Sequence, residues 1–483
     1  LWIPMIRRAF LPQRQPRFRL RPPTMSLTEG FAAIRRSMDL PRSFPPEVEA
    51  EAASAAAALG LITGPEMLDH DLITIDPVGS KDLDQALCIE ETGSGFKVLY
   101  AIADIGRFVN PGGAVDAEAR RRGQTLYAPD ERVPLYPPVL SEGAASLLAG
   151  PARHAVLYEH LLDGGARRIS TSVRRAVVRS RQQLTYQEAQ EEIDSGTARE
   201  TLRLLAIVGP LLQKLEEERG GVSLAAPQQE IHRVGDTFEL IYRAPLPVEG
   251  WNAQISLLTG MAAADMQIEA GQGLLRTMPE FDNEALTNLM VAAQALGVAR
   301  TEGTGYAPFI RKLDPTHPKE AALLSSAAHL FRGTGYTLVG GGAIARHAAI
   351  AAPYAHVTAP LRRLADRFVN ELVIAHCAGT PAAGWAVAAV AEMPEVMRSS
   401  HKKGRELERR AVDLMEAALL EHRVGETFKA IVLESGAKSG TVQICEPAIL
   451  ATCQSPNLPL GAAIDVKLKE ADPAAATVIF TSV

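Results

Sequence analysis

The spacing of apolar residues changes twice along this chain, and that change constrains its fold more than any other feature. Short apolar segments typical of strands come first, at 72–75 (LITI) and 97–105 (KVLYAIADI). Longer helical patterns follow, and short β-rich segments separated by turn residues end the chain. Because strands and helices do not alternate regularly, the order predicts an α+β fold with a mixed α/β central domain.

Length, charge and cysteine content limit the possible classes of protein. A chain of 483 residues is long enough for about three domains. Its net charge of −6 means that any contact with nucleic acid must use local basic patches. No uninterrupted apolar run is long enough for a membrane span. The four cysteines form no C-x-x-C pair, which argues against a zinc site and predicts a cytoplasmic protein. A monomer is expected.

Composition divides the chain into four regions. Residues 1–25 are rich in arginine and lack acids, which predicts a flexible basic tail or, alternatively, a weak electrostatic arm for RNA. Residues 26–67 predict a small helical domain, with a winged-helix or helix-turn-helix module as one interpretation. Residues 68–423 form the mixed domain. Residues 424–483 contain FKAIV, GTVQI, AIDVKL and ATVIF, which predict a five-stranded OB-fold barrel.

Two short motifs predict helix starts in the mixed domain. Thr185 opens T-Y-Q-E, the pattern of a capping box, and T-A-R-E at 197–200 repeats it. Gly220 then marks the end of the second helix. Further helices are predicted at 251–299, 319–332, 360–378, 385–399 and 402–422.

Three aspartates lie within nine positions of one another in TIDPVGSKDLDQAL: Asp76, Asp82 and Asp84. If the segment is extended, Asp82 and Asp84 share one face, and a turn at Gly79 can bring Asp76 towards them. Three close carboxylates repel one another unless a cation intervenes, and Mg²⁺ prefers oxygen ligands. The alternative is a polar loop in which aspartates serve turns and caps.

Two basic segments are candidates for phosphate contacts. In YAHVTAPLRRLADRF, residues 354–368, Pro360 near a helix start would direct Arg362 and a helix N-terminus into one space. Alternatively, Arg362 and Arg363 form a solvated helix start paired with Asp366. The segment at 401–413 is mostly a solvated helical face, in which Glu408 is a candidate for a specific polar contact.

These segments together resemble the catalytic domain of the ribonuclease II/ribonuclease R family, from about Asp69 to about Arg423. The matching blocks are TIDPVGSKDLDQAL, VLYAIADIGRFVNPGGAVDAEARRRGQTLYAPDERVPLYPPVLSEGAASL, RRAVVRSRQQLTYQEA and YAHVTAPLRRLADRFVNE. GETFKAIVLESGAKSGTVQI resembles the OB-fold RNA-binding domain that ends such enzymes. The resemblance implies a metal-dependent, processive 3′→5′ exoribonuclease that hydrolyses single-stranded RNA to nucleoside 5′-monophosphates.

The resemblance also implies roles for individual residues. Asp76, Asp82 and Asp84 match the first three acids of a four-aspartate metal site for Mg²⁺ or Mn²⁺, with Asp84 and Asp82 catalytic. Arg362 matches an arginine that holds the scissile phosphate. Tyr127 matches a tyrosine that stacks on the 3′-terminal base. Tyr186 and Glu408 match residues that contact nucleotides and favour RNA over DNA. Gln85 stands at the position of a fourth metal ligand.

Three departures from the family keep other functions open. Gln85 replaces the fourth acid, which predicts weaker metal affinity, and GWNAQISLL stands where the family has an acidic pair. Residues 1–67 are too short and too helical to hold the two cold-shock barrels of relatives. A non-catalytic RNA-binding regulator is therefore the main alternative, and a different metal phosphoesterase is a second.

Overall fold

The structure is a computed structural model of the chain. It describes residues 17–19, 26–59, 67–224, 228–234, 237–299, 305–314, 317–331, 333–340, 342–445 and 448–483. The helices are α1 Leu27–Ser37, α2 Pro46–Leu59, α3 Ala114–Arg122, α4 Tyr186–Ser195, α5 Glu200–Glu218, α6 Pro247–Glu269, α7 Asn283–Leu296, α8 Tyr306–Arg311, α9 Pro318–Ala327, α10 Leu364–Cys377 and α11 Gly384–Leu420.

The strands are β1 Arg17–Arg19, β2 Met67–Asp76, β3 Gln85–Thr92, β4 Gly95–Ala103, β5 Leu126–Tyr127, β6 Arg132–Val133, β7 Ala152–Asp163, β8 Arg168–Thr185, β9 Gln228–Val234, β10 Thr237–Arg243, β11 Gly273–Thr277, β12 Gly335–Val339, β13 Thr427–Ser435, β14 Gly440–Cys445, β15 Ala448–Cys453, β16 Ala463–Asp472 and β17 Thr477–Ser482.

A closed barrel of five strands, in the order β2-β3-β4-β7-β8, forms the centre of the mixed domain. Strands β2 and β8 close it in parallel, while the other neighbours are antiparallel. The strand predicted at 72–75 is confirmed within β2, and the strand predicted at 97–105 is confirmed in β4 as far as Ala103. The sequence analysis left β3 and β7 unassigned. Helices α5, α6 and α10 share one hydrophobic core with the barrel, so the loops at its end are held rigidly.

Helix α5 passes very close to α6 at Gly209. A Cβ atom added to Gly209 would lie 2.4 Å from the Trp251 side chain, so only glycine permits this spacing. The capping box predicted at Thr185 is confirmed: its hydroxyl accepts from the Glu188 amide, and the Glu188 carboxylate accepts from Thr185. The box predicted at 197–200 is wrong. The N-cap position of α5 is Arg199, which makes no side-chain capping bond, and the Thr197 hydroxyl is bonded to Ser195.

Two predicted helical stretches were assigned incorrectly. The stretch 251–299 contains α6, the strand β11 and α7, because β11 pairs with the distant β12. The stretch 385–422, predicted as two helices, is the continuous α11, although Pro394 lies inside it. Apolar residues on both sides of Pro394, such as Met393 and Met397, are fully buried, and this packing keeps the helical path.

The last strands confirm the predicted five-stranded barrel. They close in the order β13-β14-β15-β17-β16 around their own hydrophobic core. Only β15 had no corresponding segment in the sequence analysis. Its central residues are apolar, but turn-type residues follow it closely.

The predicted N-terminal helices are confirmed as α1 and α2, but each packs on another part of the protein. Helix α1 shares a core with α11, and α2 packs on α3 and joins the core of the central barrel. This arrangement differs from a helix-turn-helix module, in which the two helices pack on each other. Of the predicted basic tail, residues 17–19 form β1, which pairs with β10, and its other residues lie outside the described ranges. Within the described part of the chain, no helix is long and apolar enough to cross a membrane.

Candidate active site

The acidic loop 77–84 joins β2 to β3 at one end of the central barrel. Gly79 has a φ of 79°, which gives the turn that the sequence predicted. Leu83 is fully buried, and its backbone amide donates to the Ser146 hydroxyl at 2.9 Å. The Ser146 hydroxyl donates in turn to the Lys81 carbonyl at 2.6 Å. The loop is therefore anchored in the core between its acidic residues.

Asp84 is buried, with 1% of its surface exposed, and it is bonded to the loop before α10. One carboxylate oxygen accepts from the Leu361 amide at 2.7 Å, and the other accepts from Arg362 Nε at 2.6 Å. Burial raises the pKa of Asp84 to about 7, although the neighbouring Arg362 guanidinium opposes the shift. Asp84 is thus a perturbed carboxyl group whose oxygens are held in fixed directions.

Asp82 faces a different pair of residues. Its carboxylate accepts from the Tyr127 hydroxyl and from Arg132, both at 2.9 Å. Arg132 also forms an ion pair with Glu142 at 3.0 Å. The Tyr127 side chain is 51% exposed, so its ring meets solvent while its hydroxyl is fixed.

Asp76 ends β2, and its carboxylate has no hydrogen-bond partner within the described residues. Burial raises the pKa of Asp76 to about 6, Arg362 lowers it, and Asp82 raises it further. These influences show that the three aspartates and Arg362 share one electrostatic environment, as the sequence predicted. Asp76 is the carboxylate with free capacity to bind a cation.

Arg362 lies in a turn, and the prediction that a helix starts at this residue is wrong. Helix α10 begins at Leu364, because its first-turn carboxylate, Asp366, bonds to the Ala359 amide and to the Arg363 guanidinium. The alternative pairing with Asp366 therefore holds for Arg363, whereas Arg362 pairs with Asp84. The Arg362 carbonyl accepts from the Thr125 amide at 2.9 Å. This bond connects the arginine loop to the segment that leads to Tyr127.

Tyr186 lies beside the acids because β2 and β8 run in parallel. Asp76 is the register partner of Thr185, the residue before Tyr186. The Tyr186 hydroxyl bonds to Asn252, and burial followed by the charge of Asp76 raises its pKa. Asn252 lies in the GWNAQISLL segment, where an acidic pair was expected from the family, and here it serves as a neutral partner for the tyrosine.

A cleft of about 940 Å³ brings Tyr127 and Glu408 together. It lies between the β5 segment, the β11–β12 pair and α11. Glu408 is exposed on its wall. Because the Tyr127 hydroxyl reaches Asp82, the tyrosine connects the cleft to the acidic loop.

The sequence analysis missed three further side chains that line this cleft: Arg276, Tyr336 and His401. Arg276 lies 4.7 Å from the centre of the Tyr336 ring, and the Tyr336 ring stacks on His401 with centroids 5.8 Å apart. Arg276 and Tyr336 belong to the strand pair that had been assigned to helices or overlooked. His401 opens the basic segment that had been interpreted as a mostly solvated face. The only sequence signal for its role in the cleft was the presence of a histidine in that segment.

Gln85 is the first residue of β3, and both ends of its amide are hydrogen-bonded. Its nitrogen donates to the Thr358 carbonyl at 2.6 Å, and its oxygen accepts from the Tyr100 hydroxyl at 2.6 Å. The metal-ligand role expected for Gln85 stays a prediction, and these bonds argue against it.

The oxygen donors of the loop are chemically suited to a hard divalent cation. Within the described residues, however, no three acidic, histidine or cysteine side chains form a ready-made metal site. Mg²⁺ usually keeps waters and substrate phosphates in its shell, and a carboxylate oxygen can accept more than one contact. Asp76 with Asp82 or Asp84 could therefore hold such an ion together with substrate.

Family comparison agrees with both barrels. Residues 66–379, well over half of the chain, match the RNB domain, and residues 426–483 match the RNase II-type exonuclease C-terminal S1 domain. The chain is 29% identical to the Exosome complex exonuclease RRP44 of Homo sapiens over 318 residues, covering 62% of this chain and 33% of that protein. It thus spans about a third of the length of several curated relatives that it matches.

Two solved structures share the fold. The apo form of Mycoplasma genitalium RNase R superposes with a TM-score of 0.83 at 18% identity, covering 95% of this chain and 78% of that one. Yeast Ssd1, described as a pseudonuclease, gives a TM-score of 0.70 at 16% identity over 93% of this chain and 57% of that one. The fold therefore occurs both in an RNase R and in a pseudonuclease, so catalysis has to be argued from the site.

Proposed function

The chain belongs to the RNB-domain family of ribonucleases, and from that premise we propose that it is a processive 3′→5′ exoribonuclease. It would hydrolyse single-stranded RNA to nucleoside 5′-monophosphates with Mg²⁺ or Mn²⁺. The observation that carries this proposal is the bond from Arg362 Nε to the buried Asp84 beside the free carboxylate of Asp76. Such a perturbed acid next to a fixed guanidinium is typical of a phosphodiester-cleaving site.

Arg362 has the capacity to bind the scissile phosphate. Its Nε is committed to Asp84, whereas its two Nη groups have no hydrogen-bond partner within the described residues. The side chain is 36% exposed, so these donors can reach a ligand. A guanidinium donates to phosphate oxygens with two groups at once, and it would stabilise the charge that develops during cleavage.

Tyr127 and Tyr186 are suited to hold the 3′ end of RNA. The Tyr127 ring is exposed, but its hydroxyl bond to Asp82 limits its orientation, which lowers the entropic cost of stacking on a base. Stacking tolerates any base, as a degradative enzyme requires. Tyr186 and Glu408 would contact the terminal nucleotides and favour ribose over deoxyribose.

A divalent ion bound by Asp76, Asp82 and Asp84 would activate water and neutralise charge on the phosphate. The carboxylates would orient that ion, while Arg362 holds the phosphate against it. The cytoplasmic location and the monomeric state stay predictions.

Cleavage of an end-labelled oligoadenylate tests this proposal. With a 5′ label and Mg²⁺ or Mn²⁺, the full-length band should be converted directly to a short end product with few intermediates. An internally labelled substrate should release mononucleotides, and EDTA should abolish both reactions. Asp84→Asn should lower the rate by about a hundredfold or more, because it removes transition-state stabilisation. The matched control is Asp194→Asn, at an exposed position of α4.

The main alternative is a regulator that binds RNA without cleaving it. Its support is that Arg362 and Arg132 already neutralise two of the acids and that Gln85 carries no charge. Tight RNA binding without cleavage under either metal would establish this alternative. Hydrolysis of small phosphoesters without activity on RNA would instead favour the other metal phosphoesterase.

A further inference from the structure

Gln85 stands where the acidic series of the loop ends, and its contacts differ from those of a metal ligand. We infer that Gln85 is a positioning residue, which fixes the loop that carries Arg362, and that it does not bind metal. This inference rests on the proposed function, since Arg362 is the residue assigned to the phosphate.

The orientation of the Gln85 amide follows from its partners. The Thr358 carbonyl can only accept, so the atom 2.6 Å from it must be the amide nitrogen. The amide oxygen therefore faces the Tyr100 hydroxyl, which donates to it. Because Tyr100 has a single hydroxyl proton, the Ser256 hydroxyl, 2.8 Å away, donates to the Tyr100 oxygen. The result is a directed chain of hydrogen bonds that runs from the Ser256 hydroxyl through Tyr100 and Gln85 to the Thr358 carbonyl.

Two members of this chain of hydrogen bonds are buried and two are half-buried. Tyr100 is 1% exposed and Thr358 is 4% exposed, whereas Gln85 and Ser256 are intermediate. Water therefore has little access to the Tyr100 hydroxyl and the Thr358 carbonyl. Removing one partner from such a pair leaves the other unsatisfied, which costs more than the bond itself contributes. Gln85 thus holds Thr358 firmly to the start of β3.

Thr358 precedes Arg362 in a loop that is held at several points. The Ala359 amide donates to Asp366, and the Leu361 amide donates to Asp84. Asp84 and Gln85 are adjacent in sequence, so two neighbouring residues hold the arginine loop, one at Leu361 and the other at Thr358. Gln85 therefore helps to align the Arg362 guanidinium with the catalytic acid.

A carboxylate could not perform this function. Glutamate at position 85 would present an oxygen to the Thr358 carbonyl oxygen, and aspartate would also be shorter by one methylene group. If Gln85 is a positioning residue, restoring an acid should weaken the alignment of Arg362. If Gln85 is a metal ligand, restoring an acid should strengthen metal binding. The two roles predict opposite results.

The experiment measures two affinities in the full chain, neither of which requires turnover. The first is the affinity for Mn²⁺ alone, by electron paramagnetic resonance. The second is the affinity for 2′-O-methyl oligoadenylate in EDTA, by fluorescence anisotropy. Gln85→Met removes both bonds of the amide at similar volume, and Tyr100→Phe removes the bonds of the Tyr100 hydroxyl to Gln85 and Ser256 without altering Gln85 itself. Asp76→Asn is the control for loss of metal binding.

Both Gln85→Met and Tyr100→Phe should weaken RNA binding by about fivefold or more, since each hydrogen bond contributes about 1 kcal/mol. The double variant should be little worse than either single one. Mn²⁺ affinity should stay within about twofold of the wild type in both variants. Gln85→Glu should also weaken RNA binding, without the rate increase expected of a better metal ligand.

Unchanged RNA affinity in Tyr100→Phe, with its melting temperature retained, would overturn the inference. Loss of Mn²⁺ affinity in Gln85→Met, matching that of Asp76→Asn, would identify Gln85 as a ligand and overturn it as well. If the wild type cleaves no RNA under either metal, the proposed function fails separately, because both affinities remain measurable. Should Gln85→Met unfold, Tyr100→Phe decides the outcome alone.

Discussion

Replacing Tyr127 separates the contribution of its ring from that of its hydroxyl. Tyr127→Ala removes both, whereas Tyr127→Phe keeps the ring and loses only the 2.9 Å bond to Asp82. Because the side chain is 51% exposed, neither change should greatly reduce the free energy of unfolding. The two variants therefore form a matched pair for a binding experiment.

The expected magnitude follows from what each variant loses. Stacking of one base on an aromatic ring contributes about 1–3 kcal/mol, so Tyr127→Ala should weaken RNA binding by roughly 5- to 150-fold. Tyr127→Phe retains the stacking surface, and Arg132 still contacts Asp82, so its affinity should change by about threefold or less. The hydroxyl restricts only how the ring is oriented.

Fluorescence anisotropy with 2′-O-methyl oligoadenylate in EDTA measures these affinities without cleavage. Oligonucleotides that carry an abasic 3′-terminal position provide the control: the difference between Tyr127→Ala and the wild type should vanish on them. Equal losses in Tyr127→Ala and Tyr127→Phe would refute the reasoning, because the bond to Asp82 would then be the cause. Unchanged affinity in Tyr127→Ala would show that the terminal base binds elsewhere.

Three further predictions concern stability, each measured by chemical or thermal unfolding. Thr185→Ala should lower the free energy of unfolding by about 1 kcal/mol through loss of the capping box, while Thr197→Ala should be nearly neutral. Gly209→Ala should lower it by about 1–3 kcal/mol, because the added methyl group would overlap a neighbouring indole ring. Arg367→Met should lower it by about 1.5–3 kcal/mol, because the buried Asp116 loses one of its two arginine partners.

Each of these predictions has a defined contrary result. Equal effects of the two threonine changes would mean that the capping box does not stabilise α4. Gly384→Ala is the control for the glycine change, since a Cβ there meets no atom within 4 Å. Because alanine has the higher helix propensity, a comparable loss in Gly384→Ala would show that overlap with the indole ring is not the cause. Arg398→Ala, in an exposed ion pair, is the control for the buried arginine and should be nearly neutral.

Local sequence patterns correctly predicted several elements that depend on near neighbours, although the capping box at 197–200 was wrong. The Thr185 capping box needs only residues three apart, and the C-terminal strands alternate regularly between turns. Elements that depend on distant partners were missed or wrongly assigned. Strand β11 exists because β12 pairs with it, and α11 stays continuous past Pro394 because both of its halves are packed.

In the candidate site, too, the sequence predicted local features but not contacts between distant residues. The identities of the three aspartates, Arg362 and Tyr127 were available from the sequence and its family resemblance. Their partners were not. Nothing in the local sequence indicates that Asp82 bonds to Tyr127 and Arg132 while Asp84 bonds to the loop before α10.

The sequence alone therefore determined the order of the regions, the fold class and the chemical groups available for RNA. Apolar periodicity and motif spacing are local properties, and a chain carries them before it folds. Only the tertiary structure decided how these groups are connected, because the packing of α10 against the barrel brings residues near 85 and 360 together. At Gln85 the fold provides bonds to Thr358 and Tyr100, through which we infer that it holds the loop of Arg362.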